Sequence, residues 1–376
     1  MKLRVARDVL AEAVAWTARS VPPNPPVPVL AGVRMEAKGD VVILSSFDYE
    51  VSGRCEIPAS VEVEGEVLIP GRALTKFAKG FPSKPVDIEL VGTRVRFTCG
   101  SAHSELPAMQ VDDYPALPSM PAQVGSIDSD VLSKAVAQVS IAAARDDTLP
   151  LLTNVCMEFS GNKLTMLATD RYRLAMREVK WNPAKPLDAV VLLKARTLAD
   201  VAKSLVSGAP IEIALNDDDA VASRLIGFES GERRTTSVLS DGEYPQVRRL
   251  FPEQVNTYAT VGRKELLDAV KFVSLVAERN TALRLTFTEG NLHLEAGQGE
   301  DAQASEELVA HLDGNEISAA FNPLFLQEGL NALASNYVRF DFTHPNKPAV
   351  LVGVDEPGTE PDPSFRYLLM PIRFGV

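Results

Sequence analysis

Hydrophobic residues recur three times along the chain with the same spacing of three and four residues. The three segments that share this spacing begin at Leu10, Leu132 and Leu266. Such a stripe is typical of an amphipathic helix that buries one face. After each segment the pattern changes to alternating apolar and polar residues around a polar turn, which predicts two strands joined as a hairpin. The predicted hairpins are residues 33–46, 155–169 and 283–296.

A second helix and further alternating stretches follow each predicted hairpin. These second helices are predicted at residues 72–80, 194–206 and 322–334. The first helices repeat after 122 and then 134 residues. The pattern therefore predicts three copies of one α+β domain, each with two helices against largely antiparallel sheets. Tyr-Pro steps mark the two junctions, so we predict domains at residues 1–119, 120–252 and 253–376.

The formal charge of −12 at pH 7 is unevenly distributed along the chain. The six predicted helices together carry +5, which leaves −17 on the other residues. Arg72, Lys76 and Lys79 recur at i, i+4 and i+7 and so share one face of a helix, opposite its apolar residues. Basic helices with acidic sheets would attract phosphates on one side and repel them elsewhere. An ordinary solvated basic face is the alternative for this helix.

Catalytic and metal-binding patterns are scarce in the sequence. The four histidines stand apart, and the three cysteines lack CxxC spacing, so we expect buried thiols in a reducing compartment. The acidic run from Asp217 to Asp219 could serve a metal-dependent hydrolase together with Asp170, but its place between two predicted strands favours a hairpin turn. No cofactor is predicted. The sequence shows no membrane-spanning apolar run and no signal-peptide pattern, so we expect a cytoplasmic protein.

Three stretches of the sequence stand out beside the repeat. They are ATDRYRLA (168–175), DGEYPQVRRLFP (241–252) and YLLMPIRF (367–374). Together with the threefold repeat, they resemble the bacterial DNA polymerase III beta subunit family, the replicative sliding clamps, over the whole chain. The resemblance implies a non-enzymatic processivity factor that binds duplex DNA without sequence specificity. It also implies a head-to-tail homodimer that forms a ring around the DNA, with helices lining the hole and sheets outside.

The resemblance also implies a pocket for short peptides of the polymerase III alpha subunit, the clamp loader and other replication and repair proteins. Carried onto this chain, the pocket residues are Thr153, Thr169, Arg171, Tyr172, Arg173, Leu174, Pro245, Arg249, Leu250, Leu368, Met370, Pro371, Ile372 and Arg373. The expected DNA-facing residues are Asn24, Arg72, Lys76, Lys79, Lys194, Arg196, Lys203 and Lys271. The expected dimer-interface residues are Leu106, Leu275 and Val276, with ordinary core packing as the alternative for them. A peptide-binding scaffold that never encircles DNA is the second alternative.

The chain departs from the family's pattern at two places. Arg171 and Tyr172 stand where many members have a small residue and a histidine. We therefore expect a pocket that is narrower or differently charged at that edge, with an altered peptide preference. Asn24 stands where relatives have an arginine that contacts DNA. Asparagine can hydrogen-bond a phosphate but contributes no charge to DNA binding.

Overall fold

A computed structural model describes residues 1–22, 24–204, 208–216, 224–276, 282–297 and 303–372 of the chain. Within these ranges the chain forms six α-helices and 26 β-strands. The first repeat contains β1 (Lys2–Val5), α1 (Arg7–Thr17), β2 (Gly32–Lys38), β3 (Val41–Phe47), β4 (Val51–Pro58), β5 (Ser60–Val63), β6 (Gly65–Pro70), α2 (Gly71–Gly80), β7 (Val86–Val91), β8 (Arg94–Cys99) and β9 (Ala102–Pro107). The second contains β10 (Gln123–Asp128), α3 (Ser129–Ser140), β11 (Asn154–Ser160), β12 (Lys163–Thr169), β13 (Arg173–Lys180), β14 (Asn182–Pro183), β15 (Asp188–Lys194), α4 (Ala195–Lys203), β16 (Pro210–Asn216), β17 (Leu225–Ser230) and β18 (Arg233–Val238). The third contains β19 (Thr257–Gly262), α5 (Arg263–Val273), β20 (Leu283–Thr288), β21 (Asn291–Ala296), β22 (Ala304–Asp313), β23 (Ile317–Phe321), α6 (Pro323–Ala332), β24 (Tyr337–Phe342), β25 (Ala349–Val354) and β26 (Phe365–Leu369).

The chain divides into two compact units. The first unit is formed by residues 1–130, 181–187 and 200–239. It contains the sheets β5-β1-β7-β8-β9 and β14-β10-β16-β17-β18-β4-β3-β2-β6. The second unit, formed by residues 131–180, 188–199 and 240–376, contains the sheet β15-β11-β12-β13-β26-β25-β24-β19-β22-β21-β20-β23. The strand pairs of the described residues are antiparallel, as the sequence predicts. The division falls within the predicted second domain, so the domain boundaries stay a prediction.

The helices form where the apolar stripes predict them. Helix α1 buries its predicted stripe, and α2 buries Leu74 and Ala78 while its cations face outward. Helix α6 begins at a side-chain cap, because Asn322 Oδ1 accepts hydrogen bonds from the amides of Leu324 and Phe325. No helix in the described ranges is long and apolar enough to cross a membrane.

The apolar end of the chain is held as an inner strand of the second unit's sheet. Strand β26 pairs with β13 on one side and with β25 on the other, so its backbone groups are satisfied on both sides. Phe365, Tyr367, Leu368 and Leu369 are buried. Burying one large apolar side chain stabilises the fold by about 1.5–3 kcal/mol. Burial and pairing together explain why this tail is apolar.

The three cysteines are free and buried, as the sequence predicts. Burial raises the pKa of the Cys156 thiol to about 12, and it also raises the pKa of Cys55. Both thiols therefore stay protonated near neutral pH.

Candidate functional site

A cavity of about 500 Å³ opens on the second unit. Its walls are mostly apolar, which suits a site that buries apolar ligand groups. The lining residues are Leu149, Pro150, Leu151, Leu152, Thr169, Arg171, Arg173, Leu174, Pro245, Val247, Leu250, Leu368 and Met370.

The turn between β12 and β13 forms one wall of the cavity. Asp170 Oδ1 accepts hydrogen bonds at 3.0 Å from the amides of both Tyr172 and Arg173, which caps the turn. Arg171, between them, has a φ of 77°, in the left-handed region that favours glycine. Thr169 donates its hydroxyl proton to the Arg173 carbonyl at 2.7 Å. Asp170, considered above for a metal-dependent hydrolase, therefore has a structural role here.

The segment that follows β26 connects this turn to another part of the same unit. The amide of Met370 donates to the Tyr172 carbonyl at 2.8 Å. Two residues on, the amide of Ile372 donates to the Ala320 carbonyl of β23, also at 2.8 Å. Met370 and Ile372 each leave more than a third of their surface exposed. The tail thus completes the cavity wall and presents apolar side chains at its mouth.

A buried arginine supports the wall from beneath. Arg173 is 2% exposed and donates to Asp170 at 2.9 Å and to Glu328 of α6. Its guanidinium carbon lies 4.2 Å from the centre of the Phe325 ring. Burial opposes its charge, but the groups around it, chiefly Tyr367 and Glu328, raise the pKa of Arg173. Arg173 is thus a permanent cation that fixes the turn to α6.

Two further bonds complete this support. The hydroxyl of Tyr367 donates to the Phe325 carbonyl at 2.9 Å, and burial raises the pKa of this hydroxyl. Glu328 also accepts a hydrogen bond from the exposed Arg145 at 2.7 Å. The aromatic ring of Tyr172 lies 6.3 Å from that of Phe325, on the side that faces solvent.

Eight of the fourteen predicted pocket residues line the cavity: Thr169, Arg171, Arg173, Leu174, Pro245, Leu250, Leu368 and Met370. The structure places five others outside the lining: Thr153, Tyr172, Arg249, Pro371 and Ile372. Arg373 lies outside the described residues, as do Asp217, Asp218 and Asp219.

Sequence reasoning missed five lining residues: Leu149, Pro150, Leu151, Leu152 and Val247. Four of them form the LPLL run before Thr153, and the last three begin the 3₁₀ turn Pro150–Thr153. The signal was an apolar run just before a strand. Its place beside the β12–β13 turn depends on tertiary contacts that no periodicity encodes.

All eight predicted DNA-facing residues are exposed: Asn24, Arg72, Lys76, Lys79, Lys194, Arg196, Lys203 and Lys271. In the third repeat, Lys271 also approaches Asp268 at 3.4 Å, an exposed pair of little energetic weight.

The three predicted dimer-interface residues differ in exposure. Leu275 is 80% exposed, whereas Leu106 is 5% exposed and belongs to the core of the first repeat. Val276 is half-buried. Two more apolar side chains of the third repeat, Phe272 and Val309, are largely exposed.

Three α+β repeats with antiparallel sheets define a chain of beta-clamp domains. The family models of the DNA polymerase III beta subunit match it in order: the N-terminal domain over residues 1–118, the central domain over 126–246 and the C-terminal domain over 248–373.

Known proteins resemble the chain over most or all of its length. A beta sliding clamp of Streptomyces coelicolor is 48% identical over 374 residues, which are 99% of both chains. One of Micrococcus luteus is 52% identical over 314 residues, 83% of this chain and 100% of its own. The crystal structure of the DNA polymerase sliding clamp from Bacillus subtilis has a TM-score of 0.90 and 25% identity, with 100% of both chains covered. The chain therefore belongs to the DNA polymerase III beta subunit family, the beta sliding clamps, which are non-catalytic processivity factors of DNA polymerase III. This confirms the resemblance found in the sequence.

Proposed function

We propose that two copies of this chain associate head to tail into a ring around duplex DNA. Two sheet edges support this proposal. Strand β9 is the last strand of the five-stranded sheet. Within the described chain, residues 304–309 of β22 pair with β21 on one side only, because β19 pairs with residues 310–313. Edge strands offer unpaired backbone groups to another chain, and exposed Leu275 and Val309 supply apolar area in the third repeat. Head-to-tail contacts close into a ring of two copies when the rotation between the copies is half a turn.

The DNA inside this ring is held by charge rather than by sequence. The exposed cations of α2 lie on a helix whose opposite face is buried, so they are available to phosphates. Phosphate contacts carry no sequence information and weaken as salt rises. Retention on DNA then comes from the closed ring, and such weak contacts allow sliding.

The cavity is the docking site for short peptides of partner proteins. The size and the apolar lining of the cavity are the observation that supports this docking site, and Leu250 and Met370 are exposed at the cavity's mouth. Exposed Tyr172 and Leu324 extend the apolar surface beyond it. The expected partners are the polymerase III alpha subunit, the clamp loader and other replication and repair proteins of the cytoplasm. Arg171 adds a cation to the wall, which favours peptides with an acidic residue nearby.

Fluorescence anisotropy of a labelled peptide of the type Gln-Leu-x-Leu-Phe tests the docking site. The full chain should bind the peptide saturably, and a chain that ends at Leu369 should not. Met370→Ala should weaken binding about tenfold, since it removes part of the cavity wall, and burying a methionine side chain against a ligand is worth about 1.5–3 kcal/mol. Val190→Ala is the matched control, because Val190 is an exposed apolar residue of the same unit outside the lining. Equal binding by the full and shortened chains would contradict the assignment.

A further inference from the structure

The first repeat contains the framework that forms the cavity in the second repeat. In both repeats a 3₁₀ turn that begins with proline, Pro28–Ala31 or Pro150–Thr153, precedes the first strand of the hairpin. At the end of the hairpin's second strand, Asp48 or Asp170 accepts hydrogen bonds from the amides two and three residues ahead. The residue after each aspartate has a positive φ, 74° or 77°.

A tyrosine from the segment that follows each repeat closes both frameworks in the same way. The Tyr114 hydroxyl accepts the amide proton of Phe47 at 2.7 Å. The Tyr244 hydroxyl accepts the amide proton of Thr169 at 3.1 Å. Phe47 and Thr169 are therefore equivalent positions, each the last residue of its strand.

A backbone bond fixes a second pair of equivalent positions. The amide of Met109 donates to the Leu68 carbonyl at 2.8 Å, and that of Ser240 donates to the Leu192 carbonyl at 2.9 Å. Met109 and Ser240 therefore occupy corresponding places. At both pairs of positions the second repeat has a small polar side chain and the first repeat has a large apolar one. Of the two small residues, Thr169 lines the cavity.

These large side chains fill the site in the first repeat. They form a packed cluster that also includes the segment 109–117: Val29, Phe47, Leu68, Met109, Val111, Tyr114 and Leu117. Phe47 is 9% exposed. The corresponding place in the second repeat is the cavity of about 500 Å³.

The residues beside positions 47 and 169 in the sheet differ in size in the opposite way: they are small in the first repeat and large in the second. In the second repeat Thr169, Leu174 and Leu368 lie in one row across the sheet, and all three line the cavity. In the first repeat the same row is Phe47, Ser52 and Thr236. Ser52 and Thr236 share a hydroxyl hydrogen bond of 2.6 Å. In the first repeat the large Phe47 lies beside two small residues of its row, and the site is packed. In the second repeat the small Thr169 lies beside two leucines, and the site is open.

The segment after the first repeat, through Met120, also covers the far end of the row Phe47, Ser52 and Thr236. The next residue across the sheet from Thr236 is Gly227. A Cβ atom built on Gly227 would lie 2.5 Å from the sulfur of Met120. The chain therefore places a side chain of its own directly on this strand.

We propose that the first repeat holds a second copy of the peptide pocket, which the chain closes with Phe47 and the segment Met109–Met120. The side chain at position 47 or 169 decides which copy is open. The ligand class of the closed copy is that of the open one, a peptide with leucine and phenylalanine side chains. The inference deepens the proposed peptide-binding function and rests on it.

Thr169→Phe in the full chain should fill the cavity of the second repeat, as Phe47 fills the equivalent site of the first repeat. The cavity of about 500 Å³ that Thr169 lines gives the phenyl ring room beside Leu174 and Leu368, so the variant should keep the wild-type near-ultraviolet circular dichroism. Its affinity for the Gln-Leu-x-Leu-Phe peptide should fall at least 100-fold. Val190→Phe, which adds the same ring at an exposed site of the same unit, should bind as the unaltered chain does. A folded Thr169→Phe chain with undiminished affinity would overturn the proposal.

The reciprocal change opens the first copy. In the Thr169→Phe background, Phe47→Thr with Met109→Ser should restore saturable peptide binding at one site per chain. If that variant does not fold, Phe47→Leu with Met109→Ala makes a smaller opening and should bind more weakly. A folded opened variant that binds no peptide would refute the closed copy.

A dye separates this inference from the proposed function. Anilinonaphthalene sulfonate needs an apolar cavity but no peptide recognition. If the unaltered chain binds the dye and not the peptide, the proposed function fails. Loss of one dye site per chain in Thr169→Phe would then still support closure by the residue at this position, and an unchanged number of dye sites would count against it.

Discussion

Arg173 supports the cavity wall, so we expect Arg173→Ala to loosen the strands that form it. The guanidinium is 2% exposed, contacts Asp170 and Glu328, and lies against the Phe325 ring. Removing one partner of a buried ion pair costs about 3–5 kcal/mol. Here Glu328 keeps Arg145, and Asp170 keeps two backbone amides, so we expect the lower end, about 3 kcal/mol.

Hydrogen exchange followed by mass spectrometry measures this cost locally, which matters because a chain of several domains does not unfold in two states. A loss of about 3 kcal/mol makes the amides of β13 and β26 exchange about 150-fold faster. The matched control is Lys163→Ala, which removes an exposed ion pair to Glu178 on the neighbouring strand and should change exchange less than about threefold. Exchange in Arg173→Ala within threefold of the unaltered chain would refute the role assigned to the arginine.

Three further predictions follow from single groups. Arg171→Gly relieves a φ of 77° and should stabilise the turn by about 0.5–1 kcal/mol, so its amides should exchange more slowly in the same experiment; faster exchange of the turn amides would contradict the strain. Replacing Lys76 and Lys79 by alanine should lower the slope of log affinity for DNA against log salt by about 0.9 per charge, and an unchanged slope would mean that α2 does not face DNA. Burial raises the pKa of Tyr114 to about 12, against about 10 when unfolded, so its contribution to stability is complete below pH 10 and is lost as pH rises to 12. Tyr114→Phe should flatten the fall of the thermal midpoint between pH 10 and pH 12, and an unaltered fall would exclude Tyr114 as a source.

Local periodicity was sufficient to predict the repeating elements of the fold. The stripes that begin at Leu10, Leu132 and Leu266 each became a buried helix face, because helical spacing alone decides which residues share a side. The second helices begin within one residue of the predicted positions, directly after a strand or, in α6, after the cap Asn322.

The cavity was only partly predictable, because its walls come from segments far apart in sequence. Arg173 was expected among the pocket residues, and it does line the cavity, but its partner Glu328 is 155 residues away and turns it into a buried support. Leu149 lines the cavity, although its own segment shows no more than a short apolar run. Leu106 was expected at an interface, with core packing as the alternative, and it packs in the core of the first repeat; its place at an interface stays a prediction, since alternation along a short strand does not say which face another element covers.

Retention on circular DNA tests the central claim of an encircling clamp most directly. The chain is loaded by a clamp loader with ATP onto a nicked circular plasmid, and the complex is passed through gel filtration at high salt. The account predicts that the protein stays with the circle and is lost once the plasmid is linearised, because a ring can slide off an open end. A chain that leaves the circle although the loader is present, or that stays equally on linear DNA, would contradict it.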